Sequence, residues 1–113
     1  MSRPLRVLIE SPFAGEVERN VRYLRAALRD CLIRQEAPFA SHGLYTLPGV
    51  LDDTDPLERE LGIEAGLAWG ATADITAVYT DLGISEGMKR GIERAYHEGR
   101  PVTHRSLLDW RRA

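Results

Sequence analysis

The sequence predicts a small α/β fold, a doubly wound parallel sheet of about four strands in the order 2-1-3-4 with helices on both faces. Three observations carry that expectation. Short runs of branched residues alternate with stretches of helical apolar periodicity along 113 residues. Capping and stop residues bound the helical stretches. No run approaches the roughly 18–20 apolar residues of a membrane span.

Leu5-Arg6-Val7-Leu8-Ile9-Glu10 reads as the first strand, leaving into the turn Ser11-Pro12-Phe13-Ala14-Gly15. From Glu16 to about Gln35, Val17, Val21, Leu24, Leu28, Cys31 and Leu32 recur at three- and four-residue spacing, the stripe of an amphipathic helix. Glu16 and Glu18 suit the positive end of its dipole. Pro38-Phe39-Ala40-Ser41 is a brief second strand, and His42 to Asp55 is a long loop and candidate lid. Asp55 before Pro56 is a capping carboxylate followed by Pro at the first helical position, and a second helix runs to about Gly70. Ala73 to Thr80 is a low-charge third strand suited to the sheet centre. A third helix runs from Ser85 to Glu98, stopped by Gly99 and Pro101. Pro101-Val102-Thr103 adds an edge strand, and Ser106 to Trp110 a last helical turn. The alternation is that of a flavodoxin- or Rossmann-like sheet.

Composition narrows the function. Hydrophobic residues make up 43% and charged residues 28%, as in an ordinary soluble globule, so residues 1–113 read as one domain. Fifteen Lys plus Arg against seventeen Asp plus Glu give a net charge of −2, which argues against dedicated nucleic-acid binding and for a small molecule or protein partner. Every basic residue except Lys89 is Arg, so a phosphate contact would use a planar fork. The single cysteine, Cys31, falls on an apolar stripe and reads as a packed core thiol. No signal peptide is visible, and the expected compartment is the cytoplasm.

In a 2-1-3-4 sheet the chain leaves the first and third strands toward opposite faces, and ligands settle in the crevice between those strand ends. The Ser11–Gly15 and Asp81–Gly87 turns should therefore face each other. Ser11, Phe13 and Gly15, just ahead of a helix N-terminus, suit a phosphate or sugar with an aromatic ring beside a base, or equally a tight turn whose Phe covers the core. Asp81, Ser85, Gly87 and Met88 form the other wall, where Asp81 could hold sugar hydroxyls or the whole segment could serve only as a helix cap. His42 and Tyr45 would close over from the loop. Glu10, at the strand's C-terminal edge, reaches the crevice or pairs with an Arg. Glycines at 62, 66 and 70 line one side of the second helix, and 87 and 91 one side of the third. Each costs about 0.5–1 kcal/mol relative to Ala in a helix, so the rows imply close neighbours. No phosphate loop, dinucleotide fingerprint or nucleophile elbow is present, and His42, His97 and His104 lack metal-ligand spacing, so neither metal nor cofactor is expected.

Ile9-Glu10-Ser11-Pro12-Phe13-Ala14-Gly15, Ala73-Asp74, Ser85-x-Gly87 and Ala95-x-x-x-Gly99-x-Pro101-Val102 resemble, in order and spacing, the nucleoside 2-deoxyribosyltransferase-like superfamily over about residues 5–103. The likeness is greatest to an uncharacterised, often phage-carried branch. The resemblance implies binding of a nucleotide or nucleoside and cleavage or transfer at its N-glycosidic bond, with a helical Glu as nucleophile and an Asp on the preceding helix in support. It also implies a homo-oligomer. Counting back from Gly99 puts the nucleophile position on Gly91, and counting back from Ala73-Asp74 puts the supporting position near Gly66. Glu93, about 200° around the helix from Gly91, is the nominal nucleophile, and Glu10 the alternative, with Glu64 and Glu86 the other carboxylates near the crevice. A catalytically silent nucleotide-binding or nucleotide-sensing module is the competing expectation.

Overall fold

In the computed structural model, which describes residues 3–112, four strands form one all-parallel sheet in the order β2-β1-β3-β4. They are β1 (Arg6–Glu10), β2 (Ala37–Phe39), β3 (Ile75–Tyr79) and β4 (Val102–Arg105). The helices are α1 (Val17–Ile33), the short α2 (Ser41–Leu44), α3 (Pro56–Gly70) and α4 (Glu86–His97), followed by a 3-10 turn at Trp110–Arg112. Among the described residues no helix is long and apolar enough to cross a membrane.

Side chains alternate along a strand, so β1 sends Val7 and Ile9 to one face of the sheet and Leu8 and Glu10 to the other. Val7 and Ile9 join Tyr23, Leu24, Ala27 and Cys31 of α1 and Ala77 and Tyr79 of β3 in the hydrophobic core. On the opposite face Leu8 meets α3 closely: its Cδ2 lies 2.8 Å from where a side chain on Gly70 would begin. A short strand with three buried residues thus serves both layers, and its last residue, Glu10, belongs to the α3–α4 side.

Local chemistry explains the helix ends. The Asp55 carboxylate accepts from the Leu57 and Glu58 amides at 2.9 and 3.4 Å, with Pro56 next in the chain. Ser85 Oγ accepts from Met88 N at 3.3 Å. Gly99, at φ +71°, ends α4 in the left-handed region that glycine adopts without a Cβ clash.

Three elements differ from the sequence expectation. The expected 42–55 loop starts with a helical turn, and Tyr45 and Leu51 settle on α3, 3.8 and 3.3 Å from where a Gly62 side chain would start. Gly62 leaves room for these two side chains, while Leu47 and Val50 between them are exposed. β4 extends to Arg105, whose guanidinium makes a two-pronged ion pair with Glu36 at 2.7 and 2.8 Å and donates to Tyr79 OH at 3.2 Å. The last turn forms later than expected, at Trp110–Arg112, because residues 106–107 are held by Asp81.

Asp81 accepts from Ser106 Oγ at 2.5 Å, Leu107 N at 2.8 Å and Tyr23 OH at 2.5 Å, and Trp110 sits edge-on against Tyr23 with ring centroids 5.0 Å apart. One carboxylate thus ties the chain's last segment to α1. Replacing Asp81 with Ala should lower stability by about 1–3 kcal/mol, the range for stranded hydrogen-bond donors. In a Trp69→Phe background, the same change should shift Trp110 emission before global unfolding in a urea titration.

Candidate functional site

The two turns expected to face each other do so across a cavity of about 320 Å³ at the C-terminal ends of β1 and β3. Leu8 and Glu10 form its floor, Ser11, Phe13 and Ala14 one wall, and Ser85 to Met88 with Arg90 and Gly91 of α4 the other. Ser41, His42 and Asp53 close a third side, and Arg59, Ile63, Gly66 and Leu67 of α3 the fourth. A larger groove of about 620 Å³ between α1, β2 and α2 is lined almost wholly by apolar side chains, with Arg25 its sole titratable group, and offers no acid or base for chemistry.

Glu10 is the central feature. A methyl group built on Gly91 would overlap its carboxylate, so the acid occupies the space that any other residue at 91 would need. No described side chain hydrogen-bonds to the carboxyl or comes within ion-pair distance. Burial pushes it from an ordinary 4.5 up to about 8, against the opposing charge of Arg100. Arg100 is itself buried, donating to Thr76 Oγ1 at 2.9 Å and pairing with Glu98 at 2.7 Å. Glu10 therefore holds a proton at neutral pH, as an uncharged carboxylic acid facing a cavity.

Beside it, Ser11 Oγ and His42 Nε2 lie 2.7 Å apart. Burial lowers the His42 pKa to about 4, so the imidazole is neutral and one of its nitrogens is an acceptor. Ser41 fills the space over Gly66, its Cβ 2.6 Å from where a side chain would start. Both glycines at the positions where the resemblance expects acids thus have their side-chain space taken, Gly66 by Ser41 and Gly91 by Glu10.

Of the expected site residues, the cavity brings together Glu10, Ser11, Phe13, His42, Ser85, Gly87 and Met88. Four lie elsewhere. Glu93 is exposed on α4 and does not line the cavity, because two residues past Gly91 is the far side of the helix. Asp81 is engaged by Tyr23 and the last segment. Tyr45 borders a smaller adjoining space of about 50 Å³, its ring 6.5 Å from Phe39. Gly15, at φ +95°, makes the turn and is exposed without touching the cavity. Of the other nearby acids, Glu86 lines the cavity and Glu64 does not.

Arg59, Arg90 and Asp53 were not singled out by sequence. Arg59, Ile63, Gly66 and Leu67 recur at i, i+4, i+7 and i+8, one helix face, which was a readable signal. Arg90 pairs with Glu60 at 3.0 and 3.3 Å, while Arg59 forms a longer ion pair, its Nε 4.0 Å from the Asp53 carboxylate. Among the described residues no group of three potential metal ligands occurs.

Residues 5–105 match the family described as a domain of unknown function (DUF7768), and the chain belongs to that family. No curated protein matches it. Among solved structures it is similar to a 2-deoxyribosyltransferase from the psychrotolerant bacterium Bacillus psychrosaccharolyticus, described as a biocatalyst for the synthesis of nucleosides. Identity is 24%, the match covers 89% of this chain and 72% of that one, and the TM-score is 0.63. That likeness carries the fold.

The raised Glu10 pKa has a stability consequence. The folded state holds this proton between the unfolded value near 4.5 and the folded value of about 8, so stability falls as pH rises through that window. The slope from this one group is at most about 1.4 kcal/mol per pH unit. Between about pH 4 and 6.5 the lowered His42 contributes the opposite slope, so urea denaturation at pH 6.5, 7 and 8 should show that loss in the natural chain and a flatter profile in Glu10→Gln.

Proposed function

We propose that the chain binds a nucleoside or nucleotide in this cavity and cleaves or transfers at its N-glycosidic bond, with Glu10 as the carboxyl that acts on the reacting centre. The observation that carries the reading is the Glu10 carboxyl set over Gly91, uncharged and without a protein partner, inside a cavity built from the two turns. The fold shared with a 2-deoxyribosyltransferase supports it.

A neutral acid suits the first half of this reaction. As the C1′–N bond breaks, its electron pair goes to the base nitrogen, which takes the Glu10 proton. The carboxylate left behind then faces an oxocarbenium-like sugar, and an ion in a poorly hydrated cavity stabilises that cation more strongly than one in water. A water oxygen bonds to C1′ and returns one proton to Glu10, which restores the acid; a second base in place of water completes a transfer. Ser11 and the neutral His42 are placed to hold sugar hydroxyls, and Phe13 and Met88 to flank the base. Gly66 and Gly91, in place of the acids that the resemblance expects, keep a second reading in play: a module that binds the same ligand and leaves it intact.

Incubation with a panel of nucleosides and nucleotides, followed by chromatography for free base, distinguishes the two. Base release that falls by about 10²-fold or more in Glu10→Gln is expected, in keeping with the loss of a general acid. The rate should hold at neutral pH and decline above about pH 8, because only the protonated form of Glu10 is active. Glu93→Ala should leave turnover unchanged. Ligand binding without free base would favour the silent module.

A further inference from the structure

We infer that Arg100 is a positioning residue for the Glu10 acid: its buried charge, one pleat down the same sheet face, stabilises the carboxylate that remains when the proton leaves. The inference rests on the reading of Glu10 as the acid of the site and names the group that sets how readily it gives up its proton.

Among the described residues Arg100 is the one basic side chain that is buried, 7% exposed. It enters between the sheet and the α3–α4 layer just ahead of β4, where its Nε donates to Thr76 Oγ1 at 2.9 Å and its Nη1 to Glu98 at 2.7 Å. The third nitrogen, Nη2, lies 3.9 Å from the point where a Gly70 side chain would begin, the same point that Leu8 Cδ2 approaches to 2.8 Å. Thr76 stands beside Leu8 in the β1–β3 register, and Glu10 is the next residue of β1 on that face. Two residues of strand rise about 6.7 Å. The guanidinium therefore lies below the Glu10 carboxyl in one layer, with Leu8 between them and no hydrogen bond joining them.

Such a layer screens charge poorly, so an attraction that water would suppress at this separation persists. Burial raises the proton affinity of Glu10, and Arg100 is the charge that opposes the rise. The other charged groups around Glu10 stand at the cavity mouth, each cation beside an acid. Arg59 of α3 faces Asp53 of the 41–55 segment, Arg90 of α4 pairs with Glu60, and Glu86 is exposed. His42 is neutral. Below Glu10 the balance is different. Glu98, exposed at the end of α4, is shared by Arg100 at 2.7 Å and Arg94 at 3.1 Å, so the cluster keeps a net positive charge. Stability alone is a weak reason for it, because apolar side chains of similar volume often replace a buried ion pair without loss.

In the proposed reaction the proton passes from Glu10 to the departing base nitrogen, and the charge left on Glu10 faces the sugar cation. Arg100 neither gives nor takes a proton. It lowers the energy of that one charged state through the layer beneath the cavity.

Carbon-13 titration of the glutamate-labelled chain and its variants reads the coupling without any ligand. Arg100→Gln and Arg100→Met, which remove the charge, should raise the Glu10 midpoint by about half a unit or more. Arg100→Lys should leave it nearly in place, and Glu98→Gln should lower it. Base release at pH 7 should fall severalfold in the two neutral variants while the alkaline limb of its pH profile moves upward, a combination that loss of folded protein does not produce. An unmoved midpoint in either neutral variant, shown to be folded by circular dichroism, overturns the inference. If neither folds, Glu98→Gln decides, and a midpoint that stays or rises there overturns it equally. Midpoints that move as expected in a chain that releases no base from any nucleoside or nucleotide uphold the coupling and overturn the catalytic reading. A midpoint near 4.5 in the natural chain removes the uncharged acid and the inference with it.

Discussion

The carboxyl of Glu10 rests against the backbone of α4 because Gly91 has no side chain, and much of the structure follows from that contact. Strand alternation puts Glu10 on the same face as Leu8, the face that α3 and α4 cover. The approach of α4 to the end of β1 is then set by an acid group in place of an apolar one. Keeping an ionisable group there is costly: the proton affinity raised from 4.5 to about 8 is the thermodynamic mark of that cost. Burial of this kind, with a cavity in front of it and no partner behind it, concentrates at sites of chemistry and binding.

The other close approaches on this side of the sheet use the same device. Gly70 admits Leu8, Gly66 admits Ser41, and Gly62 admits Tyr45 and Leu51. Together they draw α3 and the 41–55 segment inward and give the cavity its third and fourth walls. Gly66 and Gly91 are the positions at which the sequence resemblance expects acids. The space of those side chains is filled from the opposite side, by Ser41 in one case and by Glu10 in the other. The carboxyl at this point of the α4 surface comes from the end of β1.

Most of the fold was legible because its signals are local. Asp55-Pro56, Ser85 and Gly99 mark helix ends through bonds made within a few residues, and the alternation of strands and helices leads to the observed 2-1-3-4 order. The site was legible in part. The topological rule located the crevice, and Ser11, Phe13, Ser85 and Gly87 followed from it. Asp81 misled because its partners, Tyr23 and Ser106, lie 58 and 25 residues away, and a carboxylate after a central strand reads the same whether it faces a sugar or the chain's own last segment. Glu10 and Gly91 were each conspicuous, yet their contact spans the whole sheet-and-helix topology and no spacing records it. Arg59 went unnoticed because a charged residue near a helix start ordinarily reads as a solvated one.

Direct titration of the Glu10 carboxyl tests the central claim. Carbon-13 NMR of the chain labelled at glutamate side-chain carboxyls, with the resonance assigned by its loss in Glu10→Gln, reads this one group. The account predicts a midpoint of about 8. A midpoint near 4.5 would mean that Glu10 is solvated or paired at neutral pH, and would contradict the uncharged acid on which the site is built.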